Sequence, residues 1–245
     1  MNSSRLAFPF AALVMLGVTA DPAAGQDPTA AQVDAIFAEF DHPGSVGCAV
    51  GVARDGEFLY EQGYGYANLD WDIPITPRTV FYMGSVSKQF TAAAIALLTY
   101  EGKLDLDDDV RKYLPELPWH DPPVTIRHII HHTSGVPDMY RVVQQNGLST
   151  WDRFGREGAL ELLAQQELDF PPGERYQYSN GGYFLLSMVV ERASGQSLRE
   201  YTAAKIFRPL GMRDTHFHDD PVHIVKRRAM SYAPREAGER GVEGP

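Results

Sequence analysis

The chain has 245 residues, of which 44% are hydrophobic and 22% charged. These values lie near globular averages and suffice for a core, which excludes a disordered chain, a collagen-like repeat and a disulfide-stapled miniprotein. Asp plus Glu is 32 against 22 for Lys plus Arg, a formal net charge of −10, so the chain lacks the basic footprint of a nucleic-acid binder and the attraction of a basic surface to anionic lipid.

Met1 to Arg5 carries one positive charge, Leu6 to Ala20 is a mostly apolar run, and Ala23-Ala24-Gly25 offers the small residues that a signal peptidase reads. This pattern predicts a secretory signal over residues 1–25, export to a periplasmic or extracellular space, and a mature chain starting near Gln26. The apolar run is short for a membrane span, and no later segment is long and apolar enough to be one. Cys48 is the single cysteine, so no intrachain disulfide can form. It lies far from the end of the leader, which argues against a lipoprotein anchor, and it reads as a small strand residue.

Residues 26–245 read as one α+β domain. Ser45 to Ala53 alternates small or polar residues with Val46, Cys48, Val50 and Val52, the period of a strand with one buried face. Asp55-Gly56 then separates it from a second strand, Phe58 to Tyr64, as a hairpin turn does. Asp70 to Arg78, with Pro74 and Pro77, reads as loop. Val86, Phe90, Ala93, Ala94, Leu97 and Leu98 recur at helical spacing, and Gly102 sits where a C-terminal cap belongs. Leu104 to Leu117 reads as a short helix and loop. Thr125 caps a short helix from Ile126 to His132, and Gly158 to Gln166 is helical. After the Pro171-Pro172-Gly173 break, Tyr183 to Ala193 is a nearly all-apolar helix closed by Gly195. Ser197 starts another that ends at Pro209. From Asp214 onward no period is visible.

The candidate chemistry begins at Ser85-Val86-Ser87-Lys88. Residues three apart share a helix face, so the Ser85 hydroxyl and the Lys88 amine can meet, while Ser87 points elsewhere. A serine hydroxyl is a poor nucleophile until a base takes its proton. A lysine does that only when burial or the helix dipole lowers its pKa from about 10.4. The same helix start presents backbone N–H groups to a developing oxyanion. Taken alone, Ser-x-x-Lys is more often a solvated helix start. Tyr178-Ser179-Asn180 follows the Pro-Pro-Gly break in a constrained loop. A phenol near a cationic lysine gives up its proton more readily than in water and can act as general base and then general acid. The Asn180 amide can hydrogen-bond both the lysine and a substrate carbonyl. By itself this triplet is an ordinary loop tyrosine and turn asparagine.

Both elements in this order, with the text around them, resemble the serine β-lactamase and penicillin-recognising hydrolase superfamily. The closer likeness is to its class C-like branch of class C β-lactamases, D-alanyl-D-alanine carboxypeptidases and carboxylesterases. The matching text is Phe81-Tyr82-Met83-Gly84-Ser85-Val86-Ser87-Lys88, His131-His132-Thr133-Ser134-Gly135-Val136-Pro137, Pro172-Gly173 through Tyr178-Ser179-Asn180 to Gly182-Tyr183, and Ile206-Phe207-Arg208-Pro209-Leu210-Gly211-Met212. The resemblance implies a β-lactamase/transpeptidase-like antiparallel sheet with helices and an all-helical subdomain. It implies Ser85 as the acylated nucleophile, Lys88 and Tyr178 as its proton relay, and Asn180 as substrate-orienting. The implied reaction is acylation by an amide, β-lactam or ester carbonyl followed by hydrolysis, with no cofactor and no catalytic metal. The implied partner is a small molecule or a peptidoglycan peptide.

Such families carry a third element, Lys- or His-Thr/Ser-Gly, after the tyrosine, and nothing after Asn180 fits it. His132-Thr133-Ser134-Gly135 precedes Tyr178 and reads as scaffolding. The chain is therefore expected to be an N-terminal portion of the domain and to be poorly active or inactive on its own. Two rival readings remain. His216-Phe217-His218-Asp219-Asp220, with His223 near it, fits the start of a metallohydrolase motif, but Pro221 stands where the next histidine belongs. A non-turnover protein that binds β-lactams, cell-wall peptides or a protein partner is the other. Within the hydrolase reading, β-lactamase or peptidase type leads and carboxylesterase is the alternative. Oligomeric state is unreadable.

Overall fold

A computed structural model describes residues 29–149, 155–220 and 222–232. The expected secretory leader lies outside the described residues. The described chain forms two units. One holds residues 29–79 and 229–232, the other residues 80–228.

The first unit is built on a hairpin of β1 (Cys48–Arg54) and β2 (Glu57–Tyr64), paired antiparallel. Asp55 and Gly56 close it with φ of 52° and 84°, the double left-handed turn whose twist matches that of the flanking strands. Cys48, Val50 and Val52 are half-buried while Ala49, Gly51 and Ala53 are exposed, so the period of 2 is real. The expected strand began at Ser45. Val46 lies outside β1, in an isolated bridge to Tyr66. The Asp70–Arg78 loop also contributes a short strand: β3 (Tyr66–Asn68) pairs with β4 (Ile73–Pro74). Two-residue strands leave too little period to read in a sequence. An unexpected helix, α1 (Ala30–Phe37), starts at a Thr29–Gln32 capping box. It reaches the hairpin through Asp34, which accepts hydrogen bonds from Tyr60 and Tyr64, and through Phe37, stacked on Tyr64 at 5.4 Å.

The second unit is helical. Its core gathers Ile95, Leu98, Ile126, Ile129, Leu163, Leu185, Leu186 and Val189, all fully buried. Burying one such side chain contributes about 1.5–3 kcal/mol. Four helices supply these residues: α2 (Lys88–Tyr100), α3 (Ile126–Ile130), α5 (Arg156–Ala164) and α6 (Asn180–Ser194). α4 (Met139–Gln145) adds Val142 to the same core and α7 (Leu198–Thr202) adds Leu198 and Tyr201, α7 continuing as a π-helical turn, Ala203–Phe207. α6 packs against α2, α3, α4 and α7 and is the centre of the unit.

The caps fall where the sequence signals them. Thr125 makes a capping box with His128, Ser197 another with Glu200, and Gly195 ends α6 at φ 73°. α4 was not expected. It has seven residues and buries only Val142 and Val143, too short a stretch for a helical period to register. The Leu104–Leu117 region holds only a 3₁₀ turn, Val110–Lys112.

Candidate active site

Gly84 has φ +51°, a conformation that L side chains rarely adopt. It turns the chain into a 3₁₀ segment, Gly84–Ser87, and α2 proper begins only at Lys88. Ser85 is therefore on the tight turn before the helix rather than in the helix as the spacing suggested. The Ser–Lys geometry survives the change, because a 3₁₀ turn eclipses residues three apart. Lys88 Nζ donates to Ser85 Oγ at 3.3 Å. Ser87 Oγ is spent on the Gly84 carbonyl at 2.5 Å, as expected of the serine that points away.

Tyr178 comes to the same serine from another part of the chain. Its hydroxyl lies 2.6 Å from Ser85 Oγ. Burial pushes the Tyr178 phenol up, but hydrogen bonding from Lys88 and Ser85 and the Lys88 charge outweigh this and hold it below its ordinary value. Asp138 opposes them. Lys88 Nζ also sits 4.9 Å from the Tyr178 ring centroid and 5.5 Å from that of Tyr183, within reach of cation–π attraction.

Asn180 was expected in a loop. It is the first residue of α6, whose N-cap Ser179 accepts from the Gly182 N–H at 3.0 Å. Asn180 Oδ1 accepts from Lys88 Nζ at 2.8 Å and from the Tyr178 hydroxyl at 3.3 Å. The contact with the lysine is the one the sequence suggested.

The His132–Gly135 segment carries the strand of chain that leads to Tyr178. Its carbonyls at Thr133, His132 and Gly135 accept from Gly173, Gln177 and Asp169 at 2.7–2.8 Å. The scaffolding assignment is right in this sense, yet His132 also borders the site. Its Nδ1 accepts from the Ser179 N–H at 3.2 Å, and its ring lies 4.6 Å from Tyr178 and 5.0 Å from Tyr183. Burial, and then the Lys88 charge, lower the His132 pKa, which keeps the ring neutral and able to accept.

Asp138 was missed by sequence reasoning. It caps α4 and bonds Asn180 at both the backbone N–H, 2.9 Å, and the side-chain amide, 2.8 Å. A Pro-Asp pair before a helix start was the local signal for the cap. Nothing local signals a partner 42 positions on.

His216, His218 and His223 have ring centroids 5.5–6.2 Å apart. Among the described residues, no group of His, Cys, Asp and Glu is arranged to hold a metal ion. Nor is any described helix long and apolar enough to cross a membrane.

Residues 33–244 match the family Beta-lactamase. Penicillin-binding protein 4* of Bacillus subtilis is 36% identical over 172 residues, covering 68% of this chain and 37% of that protein. Esterase EstB of Burkholderia gladioli is 37% identical over 221 residues, covering 80% of this chain and 55% of that protein. Among solved structures, the octameric penicillin-binding protein homologue from Pyrococcus abyssi aligns with a TM-score of 0.69 at 34% identity, over 83% of this chain and 47% of that one. The chain thus spans 37–55% of the length of these relatives.

Proposed function

The chain belongs to the Beta-lactamase family and has its α+β fold, and from that premise we propose that it is a serine hydrolase working through an acyl-enzyme on Ser85. The observation that carries the reading is the convergence on one hydroxyl: Ser85 Oγ lies 2.6 Å from the Tyr178 hydroxyl and 3.3 Å from Lys88 Nζ.

In this mechanism the deprotonated Tyr178 takes the proton of Ser85 Oγ as that oxygen attacks the substrate carbonyl carbon. The Ser85 N–H is placed to donate to the developing oxyanion. Tyr178 then returns the proton to the leaving amine or alkoxide as its bond to carbon breaks. A water attacks the acyl-enzyme, again losing its proton to Tyr178, and Ser85 departs with it. Lys88 supplies positive charge to the phenolate and holds both oxygens in place, and Asn180 holds Lys88.

The substrate is an amide, β-lactam or ester carbonyl of β-lactamase or D-alanyl-D-alanine carboxypeptidase type. Penicillin-binding protein 4* supports this choice, and the name of Esterase EstB supports the carboxylesterase alternative. Export through a signal over residues 1–25 belongs to the same reading. So does a small-molecule or peptidoglycan-peptide partner.

The test is intact-mass labelling of the chain from Gln26 with a penicillin and, separately, with p-nitrophenyl acetate, beside Ser85→Ala. A mass increase that requires Ser85 is expected. Equal labelling of both proteins would sink the assignment. A long-lived penicillin adduct would favour a penicillin-binding trap over turnover.

A further inference from the structure

The site contains a carboxylate that the reaction above leaves unused. Asp138 uses its two oxygens differently. Oδ1 accepts from the Tyr140 N–H at 3.0 Å, which caps α4. Oδ2 accepts from Asn180 twice, from the backbone N–H at 2.9 Å and from Nδ2 at 2.8 Å. An ionised carboxylate only accepts, so it binds the donor end of an amide and never the oxygen end. With Nδ2 held by Asp138, Oδ1 is left facing Lys88 Nζ at 2.8 Å and the Tyr178 hydroxyl at 3.3 Å. The opposite rotamer would set an NH₂ against the Lys88 amine and an oxygen against the carboxylate. Both are unpaired contacts at a part-buried position, which the fold has reason to avoid.

We infer that Asp138 is a positioning residue that fixes the Asn180 amide in the orientation presenting its oxygen to Lys88 and Tyr178. The inference rests on the hydrolase reading of Ser85, Lys88 and Tyr178. The effect is one of geometry, since the Asp138 charge by itself disfavours ionisation of the Tyr178 phenol. It acts through a single intermediary: Asp138 holds Asn180, and Asn180 holds the amine that touches Ser85.

The experiment is a double-mutant cycle on the full chain, read as the rate of Ser85 acylation by p-nitrophenyl acetate. The variant is Asp138→Ser, because serine still caps α4 but is too short to hold the Asn180 amide. Asp138→Ser and Asn180→Ala are each expected to slow acylation about 10- to 100-fold, the scale of a misplaced catalytic group. The double variant is expected to be no more than about twofold slower than Asn180→Ala alone, as for residues that act as a unit. Asp138→Asn has a single acceptor oxygen. Turned toward Asn180 it keeps both bonds there and gives up the Tyr140 N–H, so the rate is expected to stay within about fivefold of the parent while the α4 cap is lost. A purely structural role would give the same factor in both backgrounds, and that result overturns the inference. So does a parental rate in Asp138→Ser. If the parent labels no faster than Ser85→Ala, the hydrolase reading has failed, and Asp138 is then judged by the side-chain amide resonances of Asn180. Loss or collapse of their splitting in Asp138→Ser upholds the positioning, and unchanged resonances overturn it.

Discussion

Ser85 Oγ and the Tyr178 hydroxyl stand 2.6 Å apart although 93 positions separate them in the chain. The contact joins the turn before α2 to the segment before α6, and it is the shortest way for a proton to leave Ser85. Tyr178→Phe keeps the ring on His132 and removes only the oxygen. Acylation is expected to fall about 10²- to 10⁴-fold, the range for a lost general base, with the thermal midpoint little changed. A rate within threefold of the parent, measured by stopped-flow acylation, would remove Tyr178 from the mechanism.

The pH dependence has a sign that follows from the surroundings of Tyr178. Ser85, Lys88, Asn180 and His132 face it, with Tyr183, Tyr176 and Asp138 beyond. Burial raises the phenol, and the hydrogen bonds of Lys88 and Ser85 together with the Lys88 charge lower it further than burial raises it. A general base works when deprotonated, so acylation should rise with pH through a value below that of free tyrosine, about 10. In Lys88→Gln the lowering contribution of the lysine is gone and the rising limb should move to higher pH. A limb at the same pH in both proteins would show that another group controls it.

Gly181 permits the close approach on which the Asn180 contact depends. A Cβ there would lie 2.3 Å from the Pro137 carbonyl oxygen, and that neighbour is backbone, which cannot swing aside. Gly181→Ala must push α6 away from the chain entering α4, between Asp138 and Asn180. A stability loss of about 1–3 kcal/mol is expected, as for other overpacked sites. The acylation rate should fall with it. Chemical denaturation with an unchanged midpoint would contradict the geometry.

Glu101, just past α2, lies between Lys205 and Lys103 at 2.7 and 2.9 Å. Hydrogen bonds from Lys205 and then Lys103 bring its pKa from 4.5 to about 2. A carboxylate lowered on folding stabilises the folded state above its unfolded value and loses that contribution as pH falls. The benefit is therefore whole above about 4.5 and vanishes on approach to 2. Melting curves of Glu101→Gln and the parent should differ at pH 7 and converge by pH 2. A constant gap across this range would disprove the pairing.

The sequence by itself determined part of the local structure and pointed to the residues of the candidate site. Asp55-Gly56, Thr125, Gly195 and Ser197 announced a turn, two helix starts and a helix end because their backbone preferences and caps act over three or four residues. Ser-x-x-Lys and Tyr-x-Asn were legible for the same reason, since each is a local spacing. Only the tertiary structure brought Tyr178 to Ser85 and placed Ser85 on a 3₁₀ turn set by Gly84. Only it showed that the carboxylate capping α4 also holds the Asn180 amide. The packing of α6 against α2, α3 and α4 decided those contacts. They depend on where helices cross and how closely Gly181 lets them come, distances that no run of neighbouring residues encodes.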